Sequence, residues 1–388
     1  MTGISFVVLV WLATRAVIFG ALLWSAPAHA PGALTNWDGI WYEHVTTVGY
    51  EYVPDGRQHD VAFFPLYPLS VAALMRVAPI PFAAAAAVVN NVAFFFALLV
   101  IYDWLRRICD VTVARWCVAA LCVFPTTLFT VVAYSEGLFM LCSAASLRAF
   151  DRGAYVTAAL TAALGSATRL FGALLFPAFA LDALLRRRGA GALWCSACAL
   201  AGPLAYGLYC AIRFGDPLAY VHVQGAWRAG LGFSFPDWEY VIAYGITWMW
   251  PYQLAIVLVG TWWLRRRTFL APPAASVVAF ALGAAELAVW GKERLTFLLV
   301  FFGGGLVIRY RDRLGVAATT YALCGIGLIL FSGRPYSAER LAYSIVPIAG
   351  ALALFWKSFP AFGFAALAVT AVDAPLYAIR FARGIFVD

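Results

Sequence analysis

The run FAAAAAVVNNVAFFFALLVIYDWL, residues 82–105, is followed at once by Arg106 and Arg107. A stretch this apolar satisfies its own backbone in hydrocarbon only as an α-helix, and about 20 such residues cross a bilayer. The paired arginines mark the end that stays on the cytoplasmic side. Similar runs recur near 4–25, 113–133, 136–150, 154–168, 170–185, 192–212, 248–264, 271–290, 295–308, 314–332, 341–356 and 359–379. The whole chain follows suit: of 388 residues 64% are hydrophobic and 12% charged, with a mean hydropathy of +0.85, where a soluble domain carries roughly 25% charged residues. The expectation is an all-α integral membrane protein, one polytopic domain over 1–388 with about 11–13 transmembrane helices. No room is left for a separate soluble domain. The net charge of +8 is dispersed among membrane segments, so it reads as orientation in the bilayer and not as a nucleic-acid surface.

The basic clusters test the threading. Arg106, Arg107 and Arg115, Arg148 and Arg152, Arg186 to Arg188, Arg265 to Arg267, Arg309, Arg311 and Arg313, and Lys357 all fall on the cytoplasmic side if 63–78 lies along the outer surface as an interfacial segment. Two large outer loops follow, 26–81 and 213–247, and all four histidines (His29, His44, His59, His222) sit in them. Ala28-His29-Ala30 has the small-residue pattern of a signal-peptidase site, but Arg15 interrupts the apolar run before it, so the first helix is expected to be retained. The eight cysteines lie in or beside apolar stretches, the Cys195/Cys198 pair included, and are expected to be small core residues.

Five of the 19 carboxylates crowd the first outer loop: Asp38, Glu43, Glu51, Asp55 and Asp60. Trp37, Ile40, Trp41, Val45 and Val48 recur there at helical spacing, which predicts an interfacial helix with its aromatic face toward lipid and Asp38 and Tyr42 on another face. The plain alternative is a surface anchor. Polar groups at membrane depth have a partner or a task, and Arg15, Asn90, Asn91, Glu136, Arg169 and Glu286 are such groups. Glu136 opens a crossing from the outside. Arg169 lies near an outer helix end, where its planar fork suits a lipid phosphate; a structural Glu136–Arg169 ion pair is the competing reading. In the second loop His222, Gln224, Trp227 and Arg228 suit a sugar ring or a headgroup, and suit an amphipathic helix equally well. Arg334, Glu339 and Arg340 form a last outer turn. Gly-rich nucleotide loops, paired-Cys zinc spacings and hydrolase elbows are missing from the sequence, which favours a glycosyl donor carried on a lipid over a nucleotide sugar.

One combination is more specific. Asn36-Trp37-Asp38-Gly39-Ile40-Trp41-Tyr42, Gly49-Tyr50, Ala62-Phe63-Phe64-Pro65-Leu66-Tyr67-Pro68, Asn90-Asn91, Phe124-Pro125 through Tyr134-Ser135-Glu136, Thr168-Arg169 and the stretch from Gln224 and Trp227 to Gly232-Phe233 together resemble the PIG-V family of mannosyltransferases, which are multi-pass glycosyltransferases of the GT-C type. The resemblance covers about the first 235 residues; beyond them it holds in hydropathy and at Arg340. It implies inverting, single-displacement transfer of mannose from polyprenyl-phosphate mannose to a lipid-linked or glycolipid acceptor on the extracytoplasmic face of the cell membrane. By position the base is Asp38. Arg169, then Arg340, are expected on the donor phosphate, with Trp37, Tyr42, Glu43, His59, Asp60, Glu136, His222, Gln224 and Trp227 around the substrates. The adjacent pair of acids found in other GT-C enzymes is missing, which leaves open whether Glu43 or Asp60 shares the work and whether a divalent cation is used. The rival from another class is a lipid or glycolipid transporter, with Arg15 and Glu286 along its route; matching interruptions in two halves, the mark of such folds, are not seen.

Overall fold

A computed structural model describes residues 2–26, 32–228, 232–243, 292–385 and 387. The expected crossings near 248–264 and 271–290, together with His29, Gly230, Arg265 to Arg267 and Glu286, lie outside the described residues.

The chain is helical nearly throughout. In its first part it forms α1 (Gly3–Ser25), α2 (Asp38–Thr47), α3 (Leu66–Val77), α4 (Phe82–Ile108), α5 (Val111–Val123), α6 (Glu136–Asp151) and α7 (Tyr155–Thr168). There follow α8 (Leu175–Leu185), α9 (Ala190–Cys198), α10 (Ala201–Phe214), α11 (Ala219–His222), α12 (Gln224–Arg228) and α13 (Phe235–Ala243). Later helices are cited by their bounds. The only sheet among the described residues is one parallel pairing of Gly232–Phe233 with Ser332–Gly333.

Local chemistry sets the breaks. Asp110 caps α5 by accepting from the backbone N–H of Thr112 and Val113. Pro125 ends α5, because the residue before a proline is driven out of helical geometry: Phe124 is extended (φ −61°, ψ 142°) and a short 3-10 turn, Pro125–Thr130, follows. The run expected over 113–133 is therefore a shorter helix with a bent outer end.

Among the described residues three helices are individually long and apolar enough to cross a membrane: α1, α4 and Pro360–Ala382. The α9–α10 pair, bent by 40°, makes a fourth if it is one span, and Leu66–Val77, Val111–Val123, Leu170–Leu185, Val316–Leu330 and Val346–Ser358 are shorter apolar helices. Most of α1 faces outward with large apolar groups, among them Ile4, Leu9, Leu12, Val17 and Leu23. A helix apolar on every side and uncovered on most of them has hydrocarbon as its solvent. The chain is a multi-pass membrane protein.

The helices shuttle between two rims. At one, Asp103 holds Arg106, Arg107 and Arg148, Asp110 holds Lys357, and Asp182 holds Arg186 and Arg188. Trp104 donates to Asp151, and Arg188 lies over Phe150. These basic groups, scattered in the sequence, thus meet on one end of the bundle. From Asp151 at that end, α6 runs back 16 residues to Glu136, a span of about 24 Å at 1.5 Å per residue. The other end carries the polar loops.

One expectation for α2 is corrected. Val45 is buried, and Trp41 stacks beside Phe63 and edge-on to Trp227, so only Ile40 and Val48 of the predicted lipid face, with Trp37 at its start, are exposed. Trp227, from the second polar loop, packs on that aromatic stripe.

Candidate active site

Asp38 is the first residue of α2, where the free backbone N–H groups of a helix start favour a carboxylate. The turn into it is strained: Trp37 adopts φ 59°, ψ −117°, a backbone region that a bulky side chain rarely occupies. The strain is held from both sides. Asn36 Nδ2 donates to the carbonyl of Phe381 (2.6 Å), and the Asp38 N–H donates to the hydroxyl of Tyr134 (3.2 Å).

Asp38 Oδ2 lies 2.6 Å from Nη1 of Arg340. Arg340 stands on the Ala338–Tyr343 helix, entered through Ser337 at φ 58°, and its Nη2 donates to the Ser337 hydroxyl (3.2 Å). Trp37 and Ser337 are two of the three non-glycine residues with positive φ among the described residues, so both members of this pair are presented by left-handed turns. The Arg340 guanidinium lies against the rings of Phe129 (5.2 Å) and Tyr134 (5.1 Å), a cation–π setting. Its Nε is 3.6 Å from Glu136 Oε1, which also accepts a short hydrogen bond from Arg169 Nη1. The result is an alternating row of charges: Asp38, Arg340, Glu136, Arg169. Side-chain exposure along it is 22%, 7%, 1% and 15%, so the row is open at its ends and closed at Glu136. The Tyr42 hydroxyl donates to Ser135 Oγ (2.8 Å). Burial raises the pKa of that phenol, and the charges of Arg169, Glu136 and Asp38 all act on it; Tyr42 is a neutral donor beside the row.

The segment 125–135 that carries Phe129 and Tyr134 is pinned by polar groups from the membrane-depth set. Asn90 Nδ2 donates to the carbonyls of Phe129 and Val132, and its Oδ1 accepts from the Gly137 N–H, all at 2.8 Å. Asn91 Nδ2 donates to Val131 O (2.9 Å). Arg15 Nη2 donates to Thr130 Oγ1 (2.9 Å), with its guanidinium over Phe94. α4 and α6 approach so closely here that a Cβ on Gly137 would stand 2.3 Å from the Asn90 carbonyl; glycine is required for backbone contact.

Of the other expected residues, Trp37 flanks Asp38 at the mouth, partly exposed. Glu43 is exposed on α2. Asp60 is buried, accepts from the Glu51 N–H (2.9 Å) and meets His44 Nδ1 (2.8 Å); burial raises its pKa, and it closes the loop on itself. His59 pairs with Asp55 and His222 with Asp216, each at 2.8 Å. Gln224 donates to the Tyr220 carbonyl (3.3 Å), and Trp227 packs on Trp41 and Phe63 while donating to the His59 carbonyl (3.4 Å). Of these contacts those of Trp227 join the two polar loops, and none reaches Asp38. Sequence reasoning met Asn36 only as part of a motif, passed over Phe129 and Ser337, and missed a buried set next to Arg340 in which Thr296 donates to Glu339 (2.8 Å) and Arg294 to Asp373 (3.1 Å).

The donor set around Asp38 does not suit a divalent cation. Among the described residues its partner is a guanidinium, and the nearest carboxylate of the row, Glu136, already contacts two guanidinium groups.

A helical membrane bundle with its polar row at the rim opposite the basic one defines a GT-C-type polytopic membrane fold, and solved structures agree. The oligosaccharyltransferase of Archaeoglobus fulgidus in its apo form superposes with a TM-score of 0.54 at 13% identity, over 96% of this chain and 56% of that one. The same archaeal enzyme, AglB, in complex with an inhibitory peptide and a dolichol-phosphate gives 0.52 at 14%, over 98% and 56%. ArnT from Cupriavidus metallidurans, bound to undecaprenyl phosphate, gives 0.47 at 13%, over 98% and 78%. The chain thus spans a little over half the length of the oligosaccharyltransferase. Residues 18–184 match the family model Mannosyltransferase (PIG-V), which bears out the resemblance drawn from Asp38 through Arg169. No curated protein matches the chain.

Proposed function

We propose that this chain transfers mannose from polyprenyl-phosphate mannose to a lipid-linked or glycolipid acceptor, with Asp38 as the base. The observation that carries the reading is the convergence of Asp38, Arg340, Glu136 and Arg169, residues from four separate parts of the chain, in one partly open row. The basic rim lies one helix length away; with that rim in the cytoplasm, the row stands at the extracytoplasmic headgroup level, where a lipid-bound phosphate is confined.

A hydroxyl is a weak nucleophile until a positioned base takes its proton. Asp38 keeps an exposed edge for an acceptor hydroxyl while Arg340 holds its other oxygen. Attack on the anomeric carbon from the face opposite the phosphate inverts that centre. Negative charge then develops on the departing phosphate, and fixed guanidinium groups there lower the barrier. Arg169, the more accessible of the two arginines, is the first contact for that phosphate and Arg340 the second. The match to the mannosyltransferase family supports mannose as the sugar.

The test uses detergent-solubilised full-length protein with labelled polyprenyl-phosphate mannose and a membrane lipid extract as acceptor. Release of free polyprenyl phosphate with label in a new glycolipid is the expected result. Movement of intact donor across sealed vesicles without its cleavage would make the protein a carrier instead.

A further inference from the structure

The charge row has a property that a simple base-plus-clamp site lacks: the two groups that change charge during transfer compete for one cation. Arg340 Nη1 is on Asp38 at 2.6 Å, while its Nε is 3.6 Å from Glu136, inside ion-pair range but beyond a normal hydrogen bond. Resting on the reading above, we propose that Arg340 is a counter-ion held by Asp38 before transfer and by the departing phosphate after it, and that Glu136 is the positioning residue that keeps Arg340 beside Arg169 for the exchange.

The electrical balance supports the exchange. With donor bound, Asp38 and Glu136 are negative, Arg340 and Arg169 positive, and the phosphodiester carries one negative charge. In the step, the acceptor oxygen bonds to the anomeric carbon and its proton passes to the Asp38 carboxylate. The bond from the anomeric carbon to the phosphate oxygen breaks with its electron pair on that oxygen, giving a phosphate monoester dianion. One negative charge vanishes at Asp38 as one appears on the phosphate, so the total is unchanged while Arg340 loses its reason to stay on Asp38. A guanidinium resting beside the packed rings of Phe129 and Tyr134 can turn from one anion to the other without leaving its seat. Glu136, 1% exposed, has Oε2 buried without a hydrogen-bond partner among the described residues; an acid so costly to bury is explained by the two arginines it holds together.

Charged and titratable groups around Asp38 are Arg340, Glu136, Arg169, Tyr42 and Tyr134; only Asp38 and the phosphate change charge in the proposal. It therefore predicts that the product dianion binds together with a proton. A polyprenyl monophosphate is titrated into the detergent-solubilised protein near pH 8, well above the second phosphate ionisation at about 6, in buffers of different ionisation enthalpy. Uptake of about one proton per phosphate, lost in Asp38→Asn, is the expected result. Binding without proton uptake, or uptake unchanged in Asp38→Asn, overturns the exchange while leaving the functional reading standing. No binding to the wild type overturns that reading and the exchange with it. Glu136→Gln provides the second measurement. With its link between the two arginines cut, the dianionic product should bind about tenfold more weakly, the scale of one modest charge interaction, and the KM of the monoanionic donor should rise by less. Product binding that is unchanged or tighter, or donor and product weakened alike, removes Glu136 from the proposal.

Discussion

Both ends of this bundle are built from carboxylates and arginines, and they use them in opposite ways. At the basic rim the partners are mostly near in sequence: Asp103 with Arg106 and Arg107, Asp182 with Arg186 and Arg188. Cations outnumber acids there, and most of the guanidinium groups are half-exposed. At the opposite end Arg340 reaches Asp38 across 302 residues and Arg169 reaches Glu136 across 33, acids and bases balance one for one, and each cation is largely covered. Local, solvated pairs contribute little to stability and serve to orient the chain. A buried, long-range row costs desolvation that is not recovered in stability alone, and its retention points to chemistry. Of these pairs only those of the row combine long separation with burial: at the basic rim Asp110–Lys357 is long-range but half-exposed, and Asp182–Arg188 is buried but local.

The sharpest way to break the contrast is at its centre. Asp38→Asn keeps size and removes the proton acceptor, so transfer should fall roughly 10²–10⁴-fold, the usual worth of a general base, with unchanged expression and membrane insertion. Turnover of labelled polyprenyl-phosphate mannose measures it, and a normal rate would put the base elsewhere. Arg169→Lys keeps the charge and loses the planar fork. A loss of about 10²-fold is expected, the scale for one donor to a developing anion. If donor KM and turnover both stay normal, Arg169 serves only its pair with Glu136.

At the other rim the expectation reverses. Asp103→Asn frees three arginines from one carboxylate, and it should lower the detergent melting temperature by a few degrees with no change in transfer. A variant that is stable yet inactive would show the two ends to be coupled and erase the distinction drawn here.

How much of this was legible in the sequence follows the same division. Runs such as 82–105 and clusters such as Arg186 to Arg188 carry their meaning locally, and the structure returns them as helices and as one rim. The Asp38 and Glu136 motifs were visible as polar islands at helix starts. What a linear reading does not contain is the pairing: that Arg340, met as one residue in a short turn, would lie on Asp38, or that Asn90, Asn91 and Arg15 would act as buttresses for 125–135. His222, Gln224 and Trp227 look like substrate contacts because loop residues that bind sugars and loop residues that bind each other have the same composition; only the docking of Trp227 on Trp41 and Phe63 separates them.

The smallest effect lies between the two ends, in the outer loop itself. Asp60 is buried with its pKa raised by desolvation, offset in part by the Glu51 N–H and His44. A carboxyl whose folded value lies above its ordinary 3.8 contributes stability that is full below 3.8 and lost as pH rises through the folded value. Asp60→Asn does not titrate, and its amide can still accept from Glu51. The variant should therefore gain on the wild type in melting temperature as pH rises from acid to neutral, by about 1 kcal/mol at most given the compensating contacts, with transfer unaffected because Asp60 faces His44 and not the charge row. A gap that narrows with rising pH would mean that the ionised form is the one the loop is built to hold. A loss of transfer in a stable Asp60→Asn protein would move the loop acids from scaffold to site.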